Sequence, residues 1–376
     1  MAWKVHYQGN PLRVIVTKEL PGQRWLEILG AAGLEVHVSD SRHTLRVGDI
    51  REAIGKRCDG VIGQLTEPWG AELFEALKLA GGRAYSNYAV GYDNVSVVEA
   101  TRRGIAVGNT PGVLTETTAE MAVALTFAAA RRVAEADAYL RSGKFEGWLP
   151  DLFLGKRLHG GTLGIVGAGR IGAAYAKMLA SAHRMNVMYD NLERNLDLER
   201  YFDRLGPVIA ADGGRSIACY RAESLEDLLQ HSDVVSLHVP LSDDTRHLMN
   251  RDRLRLMKRD AILVNTSRGP TIDEAALVEH LRSNPEFRVG LDVFEREPLL
   301  APGLAECPNA VIVPHIASAT VWTREGMATL AAANVAGVLK GYPVEKNLRV
   351  EEYLEGELPR KAASILNAKE LGLTEK

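Results

Sequence analysis

Cysteine is scarce and unpatterned in this chain. Its 376 residues hold three, Cys58, Cys219 and Cys307, in no paired or metal-like spacing. That argues against a disulfide framework and suits a reducing compartment. Long apolar runs are also missing: the longest, residues 121–130, stops at Arg131-Arg132, whereas crossing a bilayer takes ~20 residues. The first residues, through Asn10, contain no secretory apolar stretch. The last three, Thr374-Glu375-Lys376, do not match the peroxisomal tripeptide. The expectation is a soluble chain with no membrane partner, in the cytosol or an organelle. An excess of one charge is absent too, with 45 Lys and Arg against 48 Asp and Glu and a net charge of -3. The basic cluster at residues 251–259 is broken by apolar residues at helical spacing, so it reads as a solvated helix face and not as a nucleic-acid patch. No His, Asp and Glu set has a recognisable ligand spacing, so no metal is expected.

What is present is an ordinary globular composition, 46% hydrophobic and 25% charged, in a chain longer than a single core usually grows. Two domains are expected. Residues 12–110 alternate short apolar runs, Val14-Ile15-Val16, Val36-His37-Val38, Gly60-Val61-Ile62, Ala84-Tyr85 and Ile105-Ala106-Val107, with amphipathic stretches. This predicts a small parallel α/β unit. After the turn signal Asn109-Thr110-Pro111-Gly112, Thr115-Glu116-Thr117-Thr118 can cap one long alanine-rich helix over residues 119–142, where the chain crosses between domains. From Gly161 the pattern restarts with Thr162-Leu163-Gly164-Ile165-Val166, Asn186-Val187-Met188-Tyr189, Asp233-Val234-Val235-Ser236-Leu237 and three further apolar runs, at 261–264, 287–291 and 310–313. Six strands with intervening helices is the count for a full dinucleotide-binding sheet. The connection over residues 191–220 is long and holds Asp212-Gly213-Gly214, so it is expected to be an insertion with a surface loop. The tail beyond the helical pattern at 321–339 is expected to return to the N-terminal unit, making that domain discontinuous.

Gly167-Ala168-Gly169-Arg170-Ile171-Gly172 follows an apolar strand and opens a helix pattern. Glycines there permit a tight turn and close backbone approach to a pyrophosphate seated at the helix N-terminus. Asp190 lies 18 positions past Gly172, at the end of the next strand, where a carboxylate can accept from the adenosine ribose and repel a 2′-phosphate. The cofactor expected is NAD (NADH), with Arg194 nearby permitting weaker use of NADPH. The competing role for Asp190 is a capping residue in the turn.

Three stretches carry the chemistry: Asn265-Thr266-Ser267-Arg268-Gly269-Pro270, Asp292-Val293-Phe294-Glu295-Arg296-Glu297-Pro298 and Pro314-His315-Ile316-Ala317-Ser318. Each follows one of the last three strands, and ligands of open α/β sheets bind outside the carboxyl ends of strands. Arg268 offers a planar fork for a substrate carboxylate; the plainer role is a surface ion pair. His315 follows a proline and precedes small residues that leave room for substrate, whereas His37 and His238 sit inside strand patterns as core residues. A carboxylate beside His315 would favour its charged form. Glu295 and Glu297 compete for that place, and charge alone does not separate them. Asp292 either contacts a nicotinamide carboxamide or caps its turn. The set suits reduction of a small 2-oxo acid.

These motifs, in order over nearly the whole chain, resemble the D-isomer-specific 2-hydroxyacid dehydrogenase family. Gly147-Trp148-Leu149-Pro150-Asp151-Leu152-Phe153, Ile272-Asp273-Glu274-Ala275-Ala276-Leu277-Val278-Glu279-His280-Leu281 and Trp322-Thr323-Arg324-Glu325-Gly326-Met327-Ala328-Thr329-Leu330 are most similar to its plant-type members that reduce hydroxypyruvate with NADH. The resemblance implies a Rossmann-type NAD-binding domain over residues 118–317. It also implies a flavodoxin-like substrate domain over 1–117 and 318–376, with the active site in the interdomain cleft. By the same resemblance Arg268 binds and polarises the 2-oxo acid, His315 is the acid/base and Glu297 is its partner. Val90 and Gly91 match the loop whose amides hold the substrate carboxylate, and Arg170, Ile171, Asp190, Pro240, Thr266 and Asp292 match cofactor contacts. A homodimer is implied, with Trp148 in a region that reaches the neighbouring subunit's site. A protein that senses NAD to regulate partners would keep the same motifs, but no peptide-docking or basic segment flanks the domains.

Overall fold

The computed structural model describes residues 2–373, so the tripeptide Thr374-Glu375-Lys376 lies outside the described residues. The chain divides into two units, one formed by residues up to Leu114 together with those from Ala319 onward, the other by Thr115–Ser318. The first holds six strands: β1 (Trp3–His6), β2 (Leu12–Val16), β3 (Leu34–Ser39), β4 (Gly60–Gly63), β5 (Ala84–Asn87) and β6 (Ala106–Gly108). Their order is β1-β3-β2-β4-β5-β6, and all pairs but β1 with β3 are parallel. Without β1 this is the flavodoxin-type order, with its switch point between β2 and β4. Strand β1 escapes the sequence pattern because it is an antiparallel edge, with Lys4 and Val5 exposed and no apolar run. The inner strands read clearly because both faces are covered; Val14, Ile15 and Val16 are wholly buried.

The C-terminal tail packs on this first sheet. Leu366 donates its amide to the Val107 carbonyl at 2.8 Å, Val107 donates to Asn367 Oδ1 at 2.9 Å, and Ile365 forms an antiparallel bridge with Gly108. The helix Val321–Lys340 is buried along most of its length and carries Asn334, whose amide donates to the Asn109 carbonyl at 2.9 Å.

The second unit holds β7 (Thr162–Val166), β8 (Asn186–Asp190), β9 (Cys219–Arg221), β10 (Val234–Leu237), β11 (Ile262–Asn265), β12 (Arg288–Leu291) and β13 (Ala310–Ile312). All pair in parallel, in the order β13-β12-β11-β10-β7-β8-β9. This is the dinucleotide-binding order with one strand more, and its switch point lies between β7 and β10.

Two expectations for this unit need correction. Residues 191–220 are not a looped insertion but a regular crossover, the helix Leu196–Ala211 followed by the seventh strand, β9. Gly206-Pro207 and Asp212-Gly213-Gly214 act as breakers in sequence. The helix persists because Leu198 and Phe202 are buried beneath it, and because Gly206 lets the Ile217 carbonyl come within 2.5 Å of where a Cβ would stand. The single helix expected over 119–142 is two, Thr115–Ala130 and Val133–Arg141, separated at Arg132, which lies in the left-handed region at φ 56°. The returning chain ends the first of them: Lys156 donates its amide to the Ala130 carbonyl at 2.8 Å. No described helix is long and apolar enough to cross a membrane.

Candidate active site

The glycine loop occupies the switch point of the second sheet. Gly167 follows β7 with φ 95°, and a Cβ there would stand 2.8 Å from the backbone carbon of His238, just past β10. A Cβ on Gly172 would stand 2.3 Å from the Gly167 carbonyl oxygen. Glycine is required at both positions, by close backbone approach in each case and by the left-handed φ at the first. Gly169 differs: a Cβ there would meet nothing within 4 Å. It is the N-cap of the helix Arg170–His183, and no side chain caps that end. Unoccupied amides, a dipole and open space above them fit a pyrophosphate. Asn195 holds the loop from the other side, donating Nδ2 to the Ala168 carbonyl at 2.7 Å.

Around this loop stand the other expected cofactor residues. Arg170 is exposed and Ile171 half-buried at the start of the helix. Asp190 ends β8, and its carbonyl accepts from Gly167 N at 2.8 Å, which ties the acidic residue to the loop. Burial pushes the Asp190 carboxyl above its usual range, partly offset by the Arg221 guanidinium. Arg194 does not face it freely: its guanidinium grips Glu199, with Nε 2.9 and 3.0 Å from the two carboxylate oxygens. Glu199 also accepts from the Tyr189 hydroxyl at 2.6 Å. Pro240 is exposed three residues past β10. Thr266, one residue past β11, has a buried hydroxyl with no hydrogen-bond partner among the described residues. An orphaned buried hydroxyl beside the strand ends again fits a polar ligand.

Arg268 is presented by a loop built around Asn265, a fully buried residue at the end of β11. Asn265 Oδ1 accepts from the Ser267 amide and hydroxyl at 3.0 and 2.8 Å, and its Nδ2 donates to the Arg268 carbonyl at 2.9 Å and to Thr271 Oγ1 at 3.2 Å. The short helix Gly269–Thr271 follows. A Cβ on Gly269 would stand 1.9 Å from the carbonyl carbon of Phe294. The loops after β11 and β12 are therefore in backbone contact, and Arg268 is close enough to Glu297 to favour its ionised form.

The loops after β12 and β13 are joined through Asp292, whose side chain is entirely buried. Its carbonyl accepts from His315 N at 2.9 Å, Oδ1 from Ile316 N at 2.6 Å and Oδ2 from Ala317 N at 2.9 Å. The capping role weighed for Asp292 is thus filled by the loop that carries His315. His315 itself lies in the left-handed region at φ 52°, a conformation that persists only where surrounding bonds over-determine it. Its Nδ1 is 2.8 Å from Glu297 Oε2, while Glu297 Oε1 accepts from the Phe294 amide at 3.0 Å. Burial opposes ionisation of Glu297, but the bond and charge of His315, the Phe294 amide and Arg268 together hold its pKa below the usual value. Glu295 points elsewhere, 2.9 Å from His247 Nε2.

Arg268, Glu297 and His315 thus converge within one unit. Val90 and Gly91 stand in the other, on the segment after β5. Their carbonyls accept from Asn109 and Asn87 Nδ2 at 2.8 and 2.9 Å, which fixes the backbone of this loop. Trp148 is 81% exposed in the irregular segment after the helix Val133–Arg141. His238 packs against Tyr175, and burial pushes its pKa down to about 3; His37 is half-buried and bonded to Glu35. Among the described residues no group of three or more His, Cys, Asp or Glu side chains could hold a metal ion. Sequence reasoning gave no role to Asn265 or Gly269. The available signals were an asparagine closing an apolar strand and a glycine directly beside the candidate arginine.

Comparison with known proteins bears on this geometry. Residues 123–317 match the sequence model described as D-isomer specific 2-hydroxyacid dehydrogenase, NAD binding domain. The chain is 54% identical over 375 residues to the Arabidopsis thaliana protein named glycerate dehydrogenase HPR, peroxisomal, covering 98% of this chain and 97% of that one. It is 44% identical over 331 residues to a glyoxylate reductase of Korarchaeum cryptofilum, covering 88% and 93%. Among solved structures, the TT0316 protein from Thermus thermophilus superposes with a TM-score of 0.78 at 40% identity, over 94% of this chain and all of that one. The NADPH-dependent glyoxylate/hydroxypyruvate reductase from Sinorhizobium meliloti, in complex with NADP and malonate, does so with a TM-score of 0.73 at 28% identity, over 97% and 99%.

Proposed function

Because this chain belongs to the D-isomer specific 2-hydroxyacid dehydrogenase family, and is therefore an oxidoreductase with a nicotinamide dinucleotide cofactor, we propose that it reduces hydroxypyruvate to D-glycerate with NADH. Reduction of glyoxylate to glycolate is the expected side activity. The observation that carries the reading is the His315–Glu297 pair: Nδ1 is held by the carboxylate at 2.8 Å, which orients Nε2 as the proton-carrying atom. The bound reduced nicotinamide supplies the hydride that C2 of the substrate receives. His315 delivers the proton to the C2 oxygen from Nε2, and Glu297 stabilises the imidazolium before transfer. Arg268 binds the 2-oxo acid and stabilises negative charge developing on the carbonyl oxygen. The Val90 and Gly91 amides hold the substrate carboxylate, and the unit that carries them is the substrate-binding domain.

The choice of hydroxypyruvate over other 2-oxo acids is supported by the 54% identity with a protein named glycerate dehydrogenase, against 44% with one named glyoxylate reductase. NADH is favoured over NADPH because Asp190 ends β8 beside the glycine loop, while Arg194 is engaged by Glu199. A homodimer is the expected assembly, with the exposed Trp148 at the neighbouring subunit. The testing experiment is a steady-state panel of hydroxypyruvate, glyoxylate, pyruvate and phosphohydroxypyruvate, each with NADH and NADPH. Highest kcat/KM for hydroxypyruvate with NADH is expected; a clear preference for pyruvate would overturn the substrate while leaving the family intact. A purely NAD-sensing protein would show no turnover at micromolar enzyme.

A further inference from the structure

The segment that carries Val90 and Gly91 is held by the stretch Asn109-Thr110. Thr110 donates its amide to the Ala89 carbonyl at 3.0 Å, and Asn109 donates Nδ2 to the Val90 carbonyl at 2.8 Å. A trans peptide is planar, so its N–H points opposite to its C=O. Holding the Ala89 carbonyl therefore aims the Val90 amide, and holding the Val90 carbonyl aims the Gly91 amide. The second of these bonds comes from a side chain, which must itself be oriented.

That orientation comes from the other end of the chain. Ser364, 255 positions later, donates its hydroxyl to Asn109 Oδ1 at 2.7 Å. Asn334, buried on the helix Val321–Lys340, clamps both residues: its Oδ1 accepts from the Ser364 amide at 2.8 Å, and its Nδ2 donates to the Asn109 carbonyl at 2.9 Å. Gly108 admits the clamp, since a Cβ there would stand 2.6 Å from Asn334 Nδ2. With Nδ2 committed to Val90, the other end of the buried Asn109 amide needs a donor, and the Ser364 hydroxyl is one. Leu366 and Asn367 anchor the same segment to Val107, so that hydroxyl arrives from a fixed backbone.

We propose that Ser364 is a positioning residue for substrate binding: through Asn109 it aims the Gly91 amide, so the C-terminal segment shapes the holder of the 2-oxo acid's carboxylate. This rests on assigning the Val90 and Gly91 amides to that carboxylate. The carboxylate does not react and keeps its charge through hydride transfer, so it is bound alike in the ground and transition states. Loosening its holder raises KM and spares kcat. Every 2-oxo acid carries the group, so the loss is the same whatever else the substrate bears.

The test measures kcat and KM for hydroxypyruvate, glyoxylate and NADH in wild type, Ser364→Ala, Asn109→Ala and the double variant. In Ser364→Ala the KM of both 2-oxo acids is expected to rise together by about fivefold or more, the effect of one buried hydrogen bond, with kcat and the KM for NADH within about twofold of wild type. Asn109→Ala should raise the same two KM values at least as far, and adding Ser364→Ala to it should raise them no further, because the hydroxyl acts through that amide. Ser364→Ala removes a single oxygen from a half-buried side chain, so it carries the test should Asn109→Ala fold poorly. Unchanged KM in Ser364→Ala overturns the inference, as does a rise for one 2-oxo acid alone, a parallel fall in kcat, or additive effects in the double variant. Wild-type enzyme that turns over neither 2-oxo acid with NADH overturns the proposed function first, and the role of Ser364 with it.

Discussion

A methyl group at position 269 would stand 1.9 Å from the carbonyl carbon of Phe294, 2.0 Å from its oxygen and 2.5 Å from the nitrogen of Glu295. All three are backbone atoms, so no side-chain rotation relieves Gly269→Ala. Reaching the 3.4 Å at which ordinary contact begins requires the loops after β11 and β12 to separate by about 1.5 Å. One loop carries Arg268 and the other carries Glu297, which holds His315. Misplacing catalytic groups by about 1 Å costs roughly 100-fold in rate, and overpacking of a filled interior costs about 1–3 kcal/mol of stability. The variant is therefore expected to lose about 100-fold in kcat/KM for the 2-oxo acid, with a lowered urea midpoint. Circular dichroism and NADH titration would separate displacement from unfolding. Gly48→Ala supplies the control: Gly48 lies in the helix Val47–Ile54, where a Cβ meets nothing within 4 Å. It should keep activity and gain roughly 0.5–1 kcal/mol. Wild-type kcat/KM and midpoint in Gly269→Ala would refute the reasoning that backbone contact sets the spacing of the arginine and the histidine pair.

His315→Ala and Arg268→Ala are each expected to lower kcat by about 100-fold or more while NADH binding, followed by fluorescence, is largely retained; wild-type-like turnover in His315→Ala would remove it from the acid role. Glu297 titrates below its usual 4.5 in the folded chain, so it stabilises the fold above its unfolded pKa, and that contribution is lost as pH falls through the lower, folded value. The urea midpoint of wild type should thus exceed that of Glu297→Gln at pH 7, and the gap should close as pH falls below the usual carboxylate range; a gap independent of pH would contradict the pairing with His315. Replacing Asp190 by serine should raise NADPH use relative to NADH by about tenfold or more, since a carboxylate near the ribose repels a 2′-phosphate; an unchanged cofactor ratio would locate the selection elsewhere.

The sequence was most readable where strands are covered on both faces. β7, β10, β11 and β12 announce themselves as apolar runs, and the motifs at their carboxyl ends fall where an open α/β sheet binds ligands. Reading failed where exposure or tertiary contact replaces pattern. Strand β9 is three residues long with Tyr220 and Arg221 exposed, and β1 is an exposed edge, so neither leaves an apolar signature. The helix Leu196–Ala211 tolerates Pro207 because its apolar face is already committed to the core. Nothing within ten residues of Arg268 reveals that its neighbouring glycine meets the backbone of Phe294; that contact joins two loops through the sheet. Glu295 and Glu297 are equivalent as charges, two positions apart, and only long-range partners separate them: His247 for the first and His315 for the second.

Asp292 shows how such contacts serve the chemistry. A carboxylate with no exposed surface is costly, and burial raises its pKa despite the amides of Ile316 and Ala317 and the nearby His315. The return on that cost is geometric. With its carbonyl and both side-chain oxygens occupied by three successive amides, the turn at 315–317 has no freedom to relax, and His315 stays at its positive φ. The imidazole is then fixed at two points, its backbone by Asp292 and its Nδ1 by Glu297, so Nε2 is the one ring atom left to exchange a proton. A general acid needs that definition more than it needs proximity alone, because proton transfer falls off steeply once donor and acceptor leave hydrogen-bond distance. Asp292 is for that reason a positioning residue for His315, and a further contact from its carboxylate to cofactor would use the lone pairs that the two amides leave free.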